Sequence, residues 1–431
     1  MKSTGAIRAV CLFLPVFACL AAWAWRSPAR RLATGALLAT AWNLATLPLL
    51  HLLSRRFGWW SYAAEGGLFL RFPLDLYIGW AILWGALPAL LFPALSLAAV
   101  AGLAAAVDLL AMPACAPVVE LGRNWVSGEL TGIFVCLIPA LCLSRWTTHD
   151  TRLRGRTVLQ GICFVLLTFF VLPAAAVEAS GRSLGRLPFS SVSELLLMVQ
   201  VLVFLAVPGL VAVQEFVERG EGTPLPYDPP RHLVTSGIYS YVANPMQLSS
   251  TLVLLGIGWL LRQPWILAGG ALGILYGIGL AQWHEHVQLQ RRFGQEWGRY
   301  RAAVRWWIPR WRPYVQEVGV LYVAETCGPC SDVGRWFRRR HPSGLEVMAA
   351  ERHPSRDLDR ISYETANGFR AEGVAAVGRA LEHIHLGWAM IGWTIRLPLV
   401  RPFLRILMDS VGAGPRLVPR DGSDGTGTLS P

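Results

Sequence analysis

Two sets of residues in this chain have the types and spacing to do chemistry. The first is divided by an apolar stretch: Asn244-Pro245 stands before it, Trp283-His284-Glu285-His286 after it, and Arg262-Gln263-Pro264 makes a turn midway. About 20 helical residues cover a ~30 Å hydrocarbon core, so a chain that runs out from Asn244 and back to Glu285 ends at the face where it began. A carboxylate and an Asn-Pro helix break then share one polar pocket at a membrane face. The second set is Thr326-Cys327-Gly328-Pro329-Cys330, which follows a strand-like run, Val318 to Ala324, and opens a helical run to Arg340. At a helix N-terminus the partial positive charge of the dipole favours thiolate. Cys327 is therefore the expected nucleophile and Cys330, one turn on, the resolving thiol. A zinc half-site is an alternative, though no second Cys pair follows; an inactive vestige is another.

The elements that must hold these residues are membrane helices. With 54% hydrophobic residues, a mean hydropathy of +0.43 and only 15% charged residues, the chain is far from a soluble average. Nine spans are expected, at 9–25, 32–53, 75–92, 94–112, 130–146, 157–177, 195–213, 246–261 and 265–283. The uncharged run Leu76–Val107 reads either as a tight hairpin broken near Pro93 or as one long tilted span. Residues 1–25 resemble a signal peptide, but the many later spans favour an uncleaved first helix. Arg clusters at 26–31, 145–156 and 291–312 share one side on this count, which makes that side cytoplasmic. Arg55, Arg56 and Arg71 run against the pattern. The net charge of +12 reads as topology and attraction to anionic headgroups, not as nucleic-acid binding. Asn43, His51, Asp75, Asp108, Glu129 and Glu178 are polar groups in or near apolar segments; Asp75, Glu129 and Glu178 are expected at interfaces, and Asp108 to have an interior partner.

The stretch 231–314 resembles the isoprenylcysteine carboxyl methyltransferase and phospholipid N-methyltransferase group, whose pattern runs roughly LVTSGxYxxxRHPxY or RNPxY, a helical hairpin, then EExxLxxxFGxxYxxY. Leu233 to Gly237, Tyr239, Asn244-Pro245, Glu285, Leu289, Phe293-Gly294, Tyr300 and Pro309 fall in step. Ala243 stands for the usual Arg, Gln247 for Tyr, His286 for the second Glu and Trp297 for Tyr. The resemblance implies S-adenosylmethionine as cofactor, bound by Gly237, Tyr239, Tyr241, Asn244, Pro245, Met246, Glu285 and His286. Methyl transfer from a sulfonium needs orientation and a charge match more than acid–base help. Glu285 would match the charge or hold a ribose hydroxyl, backbone groups freed by Pro245 would take the amino-acid or adenine edge, and Tyr239 and Tyr241 would wall the pocket. Either motif alone could merely begin or end a helix; the ordered series of matches favours a site.

Residues from about 318 to 413 resemble the DCC family of thiol-disulfide oxidoreductases, with Gly344–Ala350 as a second strand and Ala324 where that family's opening DxxCxxC has Asp. The resemblance implies a thioredoxin-like fold and a thiol or disulfide protein partner. The end of the region, 384–408, carries Trp388, Trp393, Leu397, Phe403 and Leu404 among Arg396, Arg401 and Arg405; it is expected to pack on the small domain, with the membrane surface as the alternative. Cys11, Cys19, Cys136, Cys142 and Cys163 read as small core residues and Cys115 as a lone loop thiol. Loops 179–193 and 219–230 are linkers, and the tail from 414 is disordered by composition.

The expected fold is an all-α multi-span transmembrane bundle with a C-terminal α/β thioredoxin-like domain: an N-terminal bundle at 1–220, a methyltransferase-like hairpin and cytosolic site at 221–314, a redox domain at 318–413 and a tail at 414–431. The leading function is a membrane methyltransferase acting on a lipid, prenyl or other amphipathic acceptor, with a fused thiol-disulfide domain. Alternatives are a membrane-anchored thiol-disulfide oxidoreductase, and a non-catalytic scaffold or transporter. No metal is expected.

Overall fold

The computed structural model describes residues 4–181, 191–224, 228–410 and 414–420; most of the expected linkers' central residues and the end of the tail lie outside these. Among the described residues seven helices are long and apolar enough to cross a membrane: α1 (Thr4–Arg26), α2 (Arg30–Phe57), α3 (Leu74–Leu91), α4 (Leu97–Ala114), α5 (Trp125–Thr148), α6 (Leu153–Ala179) and α7 (Val192–Gly220). The two remaining expected spans are the shorter apolar helices α8 (Pro245–Leu260) and α9 (Pro264–Tyr276). With 16 residues, α8 rises about 24 Å, short of the ~30 Å core. The run around Pro93 resolves as a break between α3 and α4, where Ser96 caps α4 by accepting the Ala99 N–H at 3.1 Å.

The chain forms two compact units. The first comprises 1–190, 222–229 and 254–269. Its core gathers Leu47, Leu50, Trp60, Phe72, Leu76, Trp80 and Trp84, beneath two short two-stranded sheets: β1 (Trp60–Tyr62) pairs with β4 (Val119–Leu121), and β2 (Leu68–Phe69) with β3 (Phe72–Pro73). Several of its polar side chains pair across the unit. Asp75 takes the Arg8 guanidinium at 2.5 Å, and Glu178 accepts the Leu70 N–H at 2.9 Å. Asp108 accepts the Trp80 indole N–H at 2.6 Å, so the expectation of an interior partner holds. Glu129, expected at an interface, is instead buried. Cys115 is not alone, because its sulfur lies 3.6 Å from that of Cys11.

The second unit comprises 191–221, 230–253 and 270–431. It contains α7, both polar ends of the hairpin, the helix α10 (Gln282–Ala303) that leaves it, and a four-stranded sheet. In that sheet β5 (Gly319–Val323) lies parallel to β6 (Leu345–Ala349) and antiparallel to β7 (Ser362–Thr365), which pairs in turn with β8 (Arg370–Glu372). Helix α11 (Gly328–Arg338) links β5 to β6, because parallel neighbours need a crossover; its Phe337 packs with Leu321, Val323 and Tyr363. Then come α12 (Val374–Leu381), α13 (Leu386–Arg396) and α14 (Val400–Ser410). The expectation that 384–408 packs on the small domain holds for α13, whose Trp393 is buried. It fails for α14, which has no buried residue.

Candidate functional site

Pro245 is the first residue of α8, where its missing N–H costs nothing and its fixed φ suits a helix start. That places Asn244 at the helix mouth, with its side chain largely buried. Its amide donates to Gln247 Oε1 at 3.0 Å and to Glu285 Oε2 at 3.4 Å. The polar motifs at the two ends of the hairpin therefore meet, 41 residues apart in sequence. Glu285 is half-buried, and desolvation lifts its carboxyl to about 7. A carboxyl with one long hydrogen bond keeps acceptor capacity for a further partner.

Two glycines shape this site. In the π-helical turn Gly277–Ala281, just ahead of Glu285, a Cβ on Gly277 would stand 2.4 Å from the Trp307 ring and 3.0 Å from Gln247 Oε1; only glycine lets those groups approach. Gly294 adopts φ 51°, ψ −122°, a conformation essentially reserved for glycine, and it breaks α10 sharply. The chain beyond it turns so that the Trp297 indole N–H donates to His286 Nδ1 at 3.1 Å and the Tyr300 hydroxyl donates to the Tyr239 carbonyl at 2.8 Å. Trp297, Tyr300 and Val304 form a small core with Leu233, Ala243, Leu289 and Phe293. Residues 305–314 then run beside 240–244: Ala243 and Asn244 N–H donate to the carbonyls of Arg305 and Trp306, and those of Arg310 and Tyr314 to the carbonyls of Tyr241 and Ser240.

The expected binding residues divide into two groups. Asn244, Pro245, Glu285, His286 and Tyr239 belong to this assembly. Gly237 and Tyr241 serve another. Gly237, at φ +60°, lies against the Glu215 carboxylate, which also accepts the Ser236 hydroxyl at 2.6 Å. Tyr241 donates its hydroxyl to the Glu382 carbonyl at 2.7 Å and meets Trp393 edge-on, and Met246 packs in the same cluster. These contacts surround a buried ion network. Arg379 pairs with Glu215 at 2.7 Å and with Glu382 at 3.3 Å, and Arg396 pairs with Glu382 at 3.0 Å and with Glu215 at 3.6 Å. Sequence reading missed Glu215, Gly277 and Trp307 and noted Gln247 only as a departure from the family pattern; a Glu near the end of an apolar span was the available signal for the first.

Cys327 is the N-cap of α11, with Pro329 in its first turn, and its sulfur lies 2.8 Å from that of Cys330. Hydrogen bonds from the Cys330 side chain and backbone lower the Cys327 thiol, whereas burial pushes Cys330 up to about 11. The approach to the motif is fixed by Glu351, whose carboxylate accepts the N–H groups of Glu325 and Thr326 and the Thr326 hydroxyl at 2.8–3.2 Å.

Residues 191–296, from the N-cap of α7 into α10, match the phospholipid methyltransferase family. No curated protein and no solved structure matches the chain. The chain is a multi-pass helical membrane protein that carries a phospholipid-methyltransferase-like region.

Proposed function

We propose that this protein is an integral membrane methyltransferase that uses S-adenosylmethionine on a lipid, prenyl or other amphipathic acceptor. The contact between Asn244 and Glu285, inside the stretch that matches phospholipid methyltransferases, is the observation that carries the reading. S-adenosylmethionine supplies a methyl group already activated on a sulfonium, so the protein's part is to bind, match charge and orient. The residues present fit that part. Glu285 offers negative charge or acceptors for ribose hydroxyls, and Asn244 orients it. The indole N–H of Trp307, buried and without a hydrogen-bond partner among the described residues, stands beside Gly277 and Gln247 as a donor for a ligand oxygen or ring nitrogen. The aromatic pair of Trp297 and Tyr300 excludes water from one side. The Arg-rich segment after the hairpin supports a cytosolic mouth. Purified protein should retain methyl-labelled S-adenosylmethionine and transfer the label to extracted membrane lipid; Glu285→Ala should do neither. Equal retention by both proteins would defeat the reading.

A second activity is supported by separate observations. We read 318–413 as a thioredoxin-like domain of the DCC type, on the sheet order β6-β5-β7-β8, the crossover helix and the paired thiols at its N-terminus. The Cys327 thiolate would attack a partner's disulfide, releasing one partner thiolate and forming a mixed disulfide; Cys330, losing its proton, would displace the second. The partner is reduced to a dithiol and the CxxC oxidised, to be reset by a cellular dithiol. Ala324 removes the carboxylate this family has there, and Glu351 is the acidic group that approaches the motif instead. In a Cys330→Ser variant the mixed disulfide should persist, whereas none should form with Cys327→Ser.

A further inference from the structure

Helix α14 has the form of an element made to lie on a surface. Its polar residues Arg401, Arg405 and Asp409 recur every four positions and so share one stripe, while Phe403, Ile406 and Leu407 lie around the rest of the helix and Leu399 stands in the turn just ahead of it. That apolar arc is bare: Leu399 is 90% exposed, Ile406 70% and Phe403 66%. Its polar side is tied down where Arg360 clasps Asp409 through two hydrogen bonds of 2.8 and 3.0 Å.

The occupant of this face follows from where the helix begins. In α7, exposed large apolar residues run from Val192 to Leu210, roughly 28 Å of helix, which matches the hydrocarbon thickness. From Val201 to Val213 α7 carries no polar side chain, and polar residues resume at Gln214-Glu215, so Glu215 marks the exit from the bilayer. Arg396, the last residue of α13, pairs with Glu215. Leu397 packs in the same cluster as Val207 and Val211, which lie at or beside the end of the lipid-facing length. Val400 is four residues beyond Arg396, at most about 14 Å of chain. Helix α14 thus starts at headgroup depth with its apolar arc uncovered.

We infer that α14 is a second, peripheral membrane contact, lying in the interface of an anionic bilayer with Leu399, Phe403, Ile406 and Leu407 immersed and Arg401 and Arg405 among lipid phosphates. It clamps the CxxC-bearing part of the chain flat against the face from which α7 emerges. The contact is independent of the methyl-transfer reading.

A photoreactive phenylalanine analogue at Ile406, or at Arg405 as control, tests this in the full-length protein reconstituted in nanodiscs of phosphatidylcholine with and without phosphatidylglycerol. On irradiation, position 406 should give lipid adducts by mass spectrometry, several-fold above position 405, with a larger yield when phosphatidylglycerol is present. Equal lipid labelling at the two positions, or crosslinking of position 406 to a second copy of the chain instead of lipid, would overturn the inference.

Discussion

Glu285 sets the behaviour of the site at the scale of single residues. Its carboxyl sits near 7 because burial penalises the charged form. A cationic ligand binds the ionised form, so affinity should be flat above about pH 8 and fall toward tenfold per pH unit below 7. Titrating S-adenosylmethionine binding against pH checks this, and in Glu285→Gln that inflection should vanish with most of the affinity. The stability effect has the opposite sense. An acid whose folded value exceeds its ordinary 4.5 disfavours the folded state as pH rises through that window, so Glu285→Gln should raise the melting temperature at pH 8 and leave it unchanged at pH 4. At the CxxC, the lowered Cys327 thiol and the raised Cys330 thiol predict that iodoacetamide at pH 7 modifies Cys327 first, as peptide mapping would record. Sequence alone disclosed Glu285 because a carboxylate is rare at the end of an apolar run, and Cys327 and Cys330 because of their CxxC spacing between a strand and a helix. It could not disclose Trp307 or Gln247, whose roles depend on a close approach across Gly277.

Among the elements, the break in α10 and the ion network do most to hold the site. Gly294 has the backbone conformation on which the Trp297–His286 and Tyr300–Tyr239 contacts depend. Gly294→Ala should cost about 1–3 kcal/mol in thermal or denaturant unfolding and weaken cofactor binding without touching the pocket. The Phe-Gly motif was visible as sequence, but a kink inside an otherwise helical pattern was not, since helical periodicity continues on both sides. The network of Glu215, Arg379, Glu382 and Arg396 is a different case, because its members lie far apart in sequence and only tertiary structure pairs them. Removing one partner strands a buried charge, so Arg379→Met should destabilise the second unit by about 3–5 kcal/mol, seen as faster proteolysis of the 318–410 region. Gly237 and Tyr241, assigned to the pocket by resemblance, belong structurally to this network. Short motifs do not say which of their residues face a ligand and which face a neighbouring helix.

On the scale of the whole molecule, the apolar composition and the spacing of polar breaks gave the helices nearly one for one, because hydrophobic length is a physical requirement of the bilayer. They did not give the division into units. The hairpin's tip belongs with the N-terminal helices and its polar ends with the C-terminal region, and α7, which reads as the last helix of an N-terminal bundle, carries the carboxylate that anchors α12 and α13. With the CxxC region joined to the same unit as the Asn244–Glu285 contact, the two proposed activities are expected to be linked: the methylation rate should differ between oxidised and reduced protein, and an identical rate would remove the linkage while leaving each proposal to its own test.

The most direct measurement is equilibrium binding of radiolabelled S-adenosylmethionine to the full-length protein in nanodiscs at pH 8, comparing wild type, Glu285→Ala and Cys327→Ser. Saturable binding by wild type and Cys327→Ser, with loss in Glu285→Ala, is the expected result. Undiminished binding by Glu285→Ala, or no binding by wild type, would contradict a methyl-donor site between Asn244 and Glu285.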